Sequence, residues 1–69
     1  MTIRVNGKEI TLEKSVNIDD LLVIAKAEAP LYVSVQLNEN FVKRQNFAVT
    51  FVKENDVVEF LYFMGGGER

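Results

Sequence analysis

The stretch ENDVVEFLYFMGGGER, residues 54–69, joins a turn signal, a long apolar strand signal and three consecutive glycines. Glu54-Asn55-Asp56 predicts a tight turn, because asparagine and aspartate bond to nearby backbone and tolerate unusual dihedral angles. Val57 to Met64 is rich in β-branched and aromatic residues, which favour an extended strand. Gly65-Gly66-Gly67 then ends the strand pattern, because glycine lacks the Cβ that restricts the backbone.

Two interpretations of these glycines stay open. Glycine-rich chain ends are often frayed linkers without a function of their own. Alternatively, residues without side chains let a chain pass through a narrow channel, where a terminal carboxylate is presented to another protein's active site. On either interpretation we expect a folded domain over residues 1–64, followed by a flexible tail over residues 65–69.

Residues 2–13 have the pattern of a β-hairpin. Two short runs alternate apolar and polar residues, with Asn6-Gly7 between them. This dipeptide is the one that best tolerates the positive φ angles of a type I′ turn. The sequence therefore predicts two antiparallel strands joined at Asn6-Gly7.

Residues 15–28 form the stretch with helical periodicity. Asn17 is the predicted N-cap, since its side-chain oxygen can accept a bond from the first helical turn. Pro30 is expected to stop the helix before it. Four apolar residues recur at helical spacing and share one face: Ile18, Leu21, Leu22 and Ala25.

Two shorter extended segments follow the helix. Residues 32–37 alternate in polarity, and Asn38-Glu39-Asn40 predicts a turn into the apolar pair Phe41-Val42. Residues 43–52 lack a clear period, which indicates a loop or a single helical turn anchored by Phe47. The order is then strand, strand, helix, strand, short strand, strand.

This order predicts an α+β domain in two layers, with a mixed sheet of four to five strands packed on one helix. The last strand needs a partner, and we expect it to lie parallel to the first strand. The segment that contains the helix then serves as the long crossover that parallel pairing requires.

The two faces of the last strand differ in polarity. Glu59 predicts that its own face is exposed, and Leu61 and Phe63 share that face beside the tail. Exposed apolar clusters of this kind often mark a partner site. The alternative is that the loop around Phe47 covers them as a secondary core. The opposite face is expected to point inward, and it carries Val58, Phe60 and Tyr62.

Length and charge limit the classes of function. The 69 residues make one small domain, with 48% apolar residues and a net charge of -2. No basic field of the kind that nucleic acid requires is present, and Lys43-Arg44 is interpreted as a solvated charge pair in preference to a contact surface. No apolar run approaches the roughly 20 residues of a membrane span, and no signal peptide is recognised, so a cytoplasmic location is expected.

The chain contains no cysteine and no histidine. A disulfide scaffold, a thiolate nucleophile and the usual soft zinc sites are therefore excluded, and the common general base near neutral pH is absent. The carboxylates are scattered through predicted turns and strand exteriors. We expect no catalytic residue, no metal site and no bound cofactor.

Taken together, these residues resemble the ThiS/MoaD-type sulfur carriers, small proteins with the ubiquitin-like β-grasp fold. The resemblance covers essentially the whole chain. It is carried by Asn6-Gly7-Lys8, by residues 37–40 followed by Arg44, and above all by Val52 to Gly67. The short chain and its compact central segment are more similar to the thiazole-pathway carriers than to the molybdopterin-synthase small subunits.

The resemblance implies that the chain is a co-substrate for other enzymes. A ubiquitin-activating-like adenylyltransferase of the ThiF type would use ATP to adenylate the terminal glycine, and a persulfide donor would convert it to a thiocarboxylate. Thiazole synthase of the ThiG type would accept the sulfur for thiamine. The implied residues are Gly67 as the reactive end, Gly65 and Gly66 as the tail, and Leu61, Phe63 and Met64 as the partner interface.

Alternatives remain within this resemblance and beside it. A carrier for cysteine, methionine or molybdopterin synthesis, a ubiquitin-like protein modifier, or a binding module with an idle tail would share most of these features. The chain also departs from the family at two places. Asn55 replaces the usual turn glycine, and Glu68-Arg69 follow the glycines, which implies a protease that cleaves after Gly67.

Overall fold

The computed structural model describes residues 1–62 of the chain. Five strands, one α-helix and one 3-10 turn follow one another in the predicted order. They are β1 (Thr2–Val5), β2 (Lys8–Thr11), α1 (Ile18–Ile24), β3 (Ser34–Leu37), β4 (Asn40–Val42), the 3-10 turn Arg44–Asn46 and β5 (Val57–Leu61).

The five strands form one mixed sheet in the order β2-β1-β5-β3-β4. β1 pairs with β5 in parallel, with Val5 beside Val58, and this confirms the predicted closure of the sheet. The other pairs are antiparallel, and β3 joins β5 with Ser34 beside Leu61. The last strand therefore lies in the middle of the sheet, with a neighbour on each side.

The hairpin turn between β1 and β2 has the predicted backbone. Asn6 and Gly7 have φ angles of 51° and 83°, the two positive values that a type I′ turn needs. The turn places Ile3 opposite Ile10 and Arg4 opposite Glu9. The Arg4–Glu9 ion pair, at 3.6 Å, is exposed on both sides and contributes little to stability.

The helix is shorter than the 15–28 stretch that its pattern suggested. It begins after Asn17, whose side chain accepts a hydrogen bond from the Asp20 amide at 2.8 Å, as predicted for the N-cap. It ends at Ile24, because Lys26 adopts a left-handed conformation with φ 56°. The Lys26 amide bonds to Val23 O and the Ala27 amide to Leu22 O, which is a Schellman ending.

The core lies between the helix and one face of the sheet. Phe47, 2% exposed, belongs to it, so the loop after β4 is anchored as predicted. A small domain has a thin core, and almost every large inward-facing residue is used. The buried residues are Ile3, Val5, Leu12, Ile18, Leu21, Leu22, Val33, Val35, Phe47, Val52, Val58 and Phe60.

Two turns meet at the end of the sheet where β5 begins. Asn55 has φ 70°, which confirms the turn at residues 54–56, and the Asp56 carboxylate accepts the Lys53 amide at 2.7 Å. The Asn38 side chain donates to Asp56 at 3.0 Å and accepts from the Val57 amide at 2.9 Å. These bonds fix the starting point of β5.

The faces of β5 agree with the predicted alternation. Val58 and Phe60 are buried, whereas Glu59 and Val57 are exposed on the opposite, outer face. The strand was predicted to run to Met64, but its described part ends at Leu61, and Tyr62 lies beyond it. Phe63 and Met64 lie outside the described residues.

Candidate functional site at the root of the tail

The candidate site is the point where the chain leaves β5, which we call the tail root and define as Leu61 and Tyr62. Leu61 lies beside Ser34 on the outer face and is half-buried. Phe47 belongs to the main core, and Leu61 is not among the described residues that pack against that core, so this loop does not cover it. Tyr62 is 36% exposed.

The other predicted site residues lie beyond this point. They are Phe63, Met64, Gly65, Gly66 and Gly67, and all five lie outside the described residues, so their roles stay predictions. The structure places Leu61 at the end of the described part of β5, and the predicted tail at residues 65–69 lies beyond the described residues. The site can be described through the residues that hold this strand end.

On the β1 side, the hairpin turn holds the end of β5. The Asn6 amide donates to Val58 O at 3.0 Å, and the Asn6 side-chain oxygen accepts the Phe60 amide at 2.8 Å. The Asn6 side chain thus gives β5 one more hydrogen-bond acceptor beyond Val5, the last residue of β1. The sequence identified Asn6 as a turn former, but no local pattern reports a bond to a residue 54 positions away.

On the β3 side, the chain makes a tight turn from Ala29 to Tyr32 immediately before the strand. The Tyr32 amide donates to Ala29 O at 2.9 Å. Ala29 has φ 47°, a left-handed angle that costs a non-glycine residue roughly 1–3 kcal/mol. The turn therefore depends on its surroundings to stay closed.

Arg44 supplies that support. Its guanidinium donates to Pro30 O at 3.2 Å and to Val33 O at 2.6 Å. It also lies over the ring of buried Phe47, 5.0 Å from the centroid, in a cation–π contact. Arg44 is exposed, as predicted for a solvated charge, but its guanidinium also braces the turn through these two carbonyls. Lys43, its neighbour, is exposed.

Exposed apolar side chains lie in a cleft that adjoins the tail root through Ser34, the strand partner of Leu61. Leu31 and Tyr32 are each 79% exposed and Phe41 is 61% exposed. Together with Ser34 and Arg44 they line one shallow surface cleft. Sequence analysis placed an apolar contact surface on β5 alone, and the contribution of the turn before β3 was missed because that turn has no periodic pattern.

A second exposed apolar group lies away from the tail root. It comprises Val23 and Ile24 on the helix, together with Val49 and Phe51 from the segment after the 3-10 turn. The bridge between Asn17 and Phe51 connects this segment to the start of the helix.

The described residues present little acid–base chemistry. Within residues 1–62 no cluster of three or more His, Cys, Asp or Glu side chains has the spacing of a metal site. No polar or charged side chain in the same part of the chain is buried. None of the helices described is long and apolar enough to cross a membrane. The arrangement provides an anchored strand end and an apolar surface around it.

The fold and its neighbours define the class of this molecule. A crystal structure of the thiamine biosynthesis protein (ThiS) of Geobacter metallireducens superposes with a TM-score of 0.89 at 46% identity, covering 97% of this chain and 100% of that one. An NMR structure from the same organism gives a TM-score of 0.74 at 45% identity, over 100% and 91% of the two chains. The molecule is thus a ubiquitin-like β-grasp domain, which confirms the predicted fold.

The ThiS family model matches residues 3–67 of the sequence. This chain belongs to the ThiS family of small sulfur carrier proteins, and the resemblance seen in the sequence is confirmed. A curated thiazole synthase of Magnetococcus marinus is 31% identical over 69 residues, which is 100% of this chain and 21% of that protein. The chain thus spans about a fifth of the length of this relative.

Proposed function

We propose that this chain carries sulfur for the thiazole of thiamine, as a thiocarboxylate on Gly67. The observation that carries the proposal is the family match, which spans residues 3–67 and so includes the three glycines. The two solved structures are both of one thiamine biosynthesis protein from Geobacter metallireducens. They favour thiamine over cysteine, methionine or molybdopterin synthesis.

Thiazole synthase is the proposed sulfur acceptor. One such protein contains a segment similar to the whole of this chain, so carrier-like and synthase sequences occur there in one polypeptide. Two proteins whose relatives are joined in one chain in another organism commonly interact where they are separate chains. This supports a direct contact between the present chain and a ThiG-type synthase.

The strand end supports delivery of the tail into a partner. β5 is paired with β1 as far as Val58 and with β3 as far as Leu61, so the strand that leads to the tail is anchored in the sheet. Gly67 follows Tyr62 by five residues, which at about 3.3 Å per residue corresponds to a reach of roughly 16 Å. That distance is sufficient to carry a carboxylate into the interior of an enzyme while the domain stays outside.

The proposed chemistry begins at the terminal carboxylate. An α-carboxyl group has a reference pKa of about 3.5, so it is ionised near neutral pH and needs no base from the chain. Its oxygen attacks the α-phosphorus of ATP in a ThiF-type adenylyltransferase, and pyrophosphate leaves. The terminal sulfur of a cysteine persulfide then displaces AMP from the acyl carbon. A second thiol cleaves the sulfur–sulfur bond and leaves the thiocarboxylate and a disulfide.

The absence of cysteine in the chain is compatible with this scheme. A thiol near the tail would compete for the acyl-adenylate and trap it as a thioester. All sulfur transfers are instead made by thiols of the partners. Because ATP and persulfide donors are needed together, we expect the reaction in the cytoplasm.

The apolar residues around the tail root are the proposed docking surface for these partners. Leu61, Phe63 and Met64 were predicted for this role, and Leu31, Tyr32 and Phe41 extend the surface on the β3 side. An exposed apolar surface beside the entering tail would bury area only while a partner is bound. Such residues add apolar contact area to the complex with a partner.

Glu68-Arg69 must be removed before Gly67 can react. With both residues present, Gly67 has no free carboxylate and two charged side chains follow it. We therefore propose cleavage after Gly67 by a processing protease. The chain with Glu68-Arg69 is expected to resist adenylation.

The test compares three forms of the chain with an adenylyltransferase, ATP and a persulfide donor, using intact-mass spectrometry. The form ending at Gly67 should gain the mass difference between one sulfur and one oxygen atom. The form with Glu68-Arg69 and the form ending at Gly66 should not. Thiocarboxylation of the uncut form would refute the processing step. Isopeptide conjugates to other proteins, in place of the thiocarboxylate, would favour a protein modifier.

A further inference from the structure

The charged side chains are divided unequally between the two ends of the sheet. β1 and β5 are parallel, so Val5 and Leu61 lie toward the same end. The helix also ends on this side, because Lys26 lines one cleft together with Asn6 and Tyr62. The tail root therefore shares its end of the sheet with the hairpin turn and with the C-terminal end of the helix.

Four cationic side chains lie around the tail root at this end. Lys8 begins β2 at one edge of the sheet, and Lys43 follows β4 at the other edge. Lys26 lies past the end of the helix and lines one cleft with Lys8 and Tyr62. Arg44 lines the cleft that adjoins the tail root on the β3 side. All four are exposed, and we call Lys8, Lys26, Lys43 and Arg44 the basic rim.

The basic rim keeps most of its charge. Within residues 1–62 the single ion pair joins Arg4 to Glu9, so no described carboxylate pairs with the rim. Glu28 lines the same cleft as Lys8 and Lys26. Four cations against this one carboxylate leave an excess of three positive charges at the end that holds the tail root.

The opposite end of the sheet is acidic. Glu54 accepts the Thr2 amide at 3.1 Å where β1 begins, and Asp19 and Asp20 lie in the first turn of the helix. Two lysines, against six carboxylates, leave an excess of four negative charges there. The lysines are Lys14 and Lys53, and the carboxylates are Glu13, Asp19, Asp20, Glu39, Glu54 and Asp56. The net charge of -2 is therefore the sum of two ends of opposite sign.

We propose that the basic rim docks on acidic residues around the channel entrance of the adenylyltransferase, and that the divided charge orients the carrier tail-first as it approaches. Complementary surfaces attract and like charges repel, so the acidic end is turned away from such an entrance. The apolar side chains beside Arg44 then make the close contact: Leu31, Tyr32 and Phe41. The inference rests on the proposed function, because it describes the partner that takes up the tail.

Net charge alone gives the opposite expectation. A carrier with a charge of -2 would be attracted to a basic partner surface. At about 0.1 M salt, however, the Debye length is about 10 Å, so a partner at the tail root interacts mainly with the charges close to it. The location of a charge, and not the total, then determines the rate of association.

The first arm of the test changes the location of charge at a constant total. Lys8→Glu with Lys43→Glu reverses two charges of the basic rim, whereas Lys14→Glu with Lys53→Glu reverses two exposed charges at the acidic end. Each pair adds the same four negative charges. In stopped-flow association with the adenylyltransferase at about 0.1 M salt, the rim variant should bind at least fivefold more slowly and the control variant within twofold of the parent chain. At about 1 M salt, where the Debye length is about 3 Å, the three rates should converge.

Equal slowing of both double variants, or no slowing of the rim variant, would overturn the inference. Denaturation midpoints confirm that the variants are folded. If the glutamate pair in the rim prevents folding, Lys8→Gln with Lys43→Gln replaces it. That pair removes both charges without adding carboxylates, and it should still slow association at least twofold.

The second arm uses the full chain and no enzyme. Titration with a hexaglutamate peptide should shift NMR signals of the basic rim and the tail root, and the Lys8→Glu, Lys43→Glu variant should lose these shifts while the control variant keeps them. Shifts that are absent, or spread evenly over the domain, would refute the inference. If the peptide binds as expected but the parent chain that ends at Gly67 is not adenylated, the proposed function fails and the acidic-partner surface stands.

Discussion

Six non-glycine residues in the described part of the chain have positive φ angles, and they divide into two groups. Three are asparagines, the type that enters the left-handed region most readily, and they occupy the turns predicted from sequence. The other three have no such preference. They are Lys26, Ala29 and Glu39.

Lys26 is the clearest site for a stabilising change. Its left-handed conformation costs about 1–2 kcal/mol, whereas glycine loses roughly 0.4–1 kcal/mol through the entropy of the unfolded chain. Lys26→Gly should therefore raise the free energy of unfolding by about 0.5–1 kcal/mol in chemical denaturation. Lys14 is exposed and has no positive φ, so Lys14→Gly should lower stability. Equal losses in both variants would contradict the assigned helix ending.

Asn6 combines a turn conformation with a long-range bond, and two substitutions separate these roles. Asn6→Gly keeps the positive φ but removes the acceptor for the Phe60 amide, whereas Asn6→Asp keeps an oxygen in place. Hydrogen exchange at the Phe60 amide should accelerate at least tenfold in the glycine variant and change little in the aspartate variant. Similar protection in both would show that the side-chain bond is unimportant.

At the scale of elements, the helix has one face that matters for stability. Leu21 is fully buried, and Leu21→Ala should cost about 2–5 kcal/mol, enough to unfold much of a domain this small. Val23, two residues along, is 76% exposed, and Val23→Ala should stay within about 0.5 kcal/mol of the parent chain. Denaturation midpoints of the two variants check this pattern. A large loss from Val23→Ala would indicate that its exposed surface is covered in solution.

The elements were predictable where one local signal decides them. Asn6-Gly7, the alternation around Val33 and Val35, and the apolar helix face each have a short-range cause. Each was confirmed, although β3 begins at Ser34 and not at residue 32. The helix ends were less predictable. Pro30 gave a late stop signal, but the helix ends six residues earlier through Lys26, a residue type that carries no ending signal.

The site was predictable in part for a similar reason. The β5 alternation placed Leu61 on the outer face because strand periodicity is local. Arg44 bonds to Pro30 O and Val33 O, which lie 14 and 11 residues earlier in the chain. Every residue has a backbone carbonyl, so the sequence does not indicate which carbonyls accept these bonds. In a sequence, a lone arginine in a loop has the same appearance whether its guanidinium is solvated or bonded to backbone carbonyls. Geometry was needed to distinguish the two.

At the scale of the whole molecule, fold and proposed function occupy different parts of the chain. In the described part of the chain the buried core extends from Ile3 to Phe60, and the reactive group is proposed at Gly67. Deletion of residues 65–69 should therefore leave the denaturation midpoint of the domain unchanged, while it abolishes adenylation. A large loss of stability on deletion would show that the tail contributes to the folded domain.

The central claim is that the chain is loaded with sulfur at Gly67 in the cell. The most direct measurement is the intact mass of the protein isolated rapidly from its native cell under conditions that preserve thioacids. The account predicts a species that ends at Gly67 and contains one sulfur atom in place of a terminal oxygen. A population that retains Glu68-Arg69 and carries no added sulfur, in cells that are actively making thiamine, would contradict it.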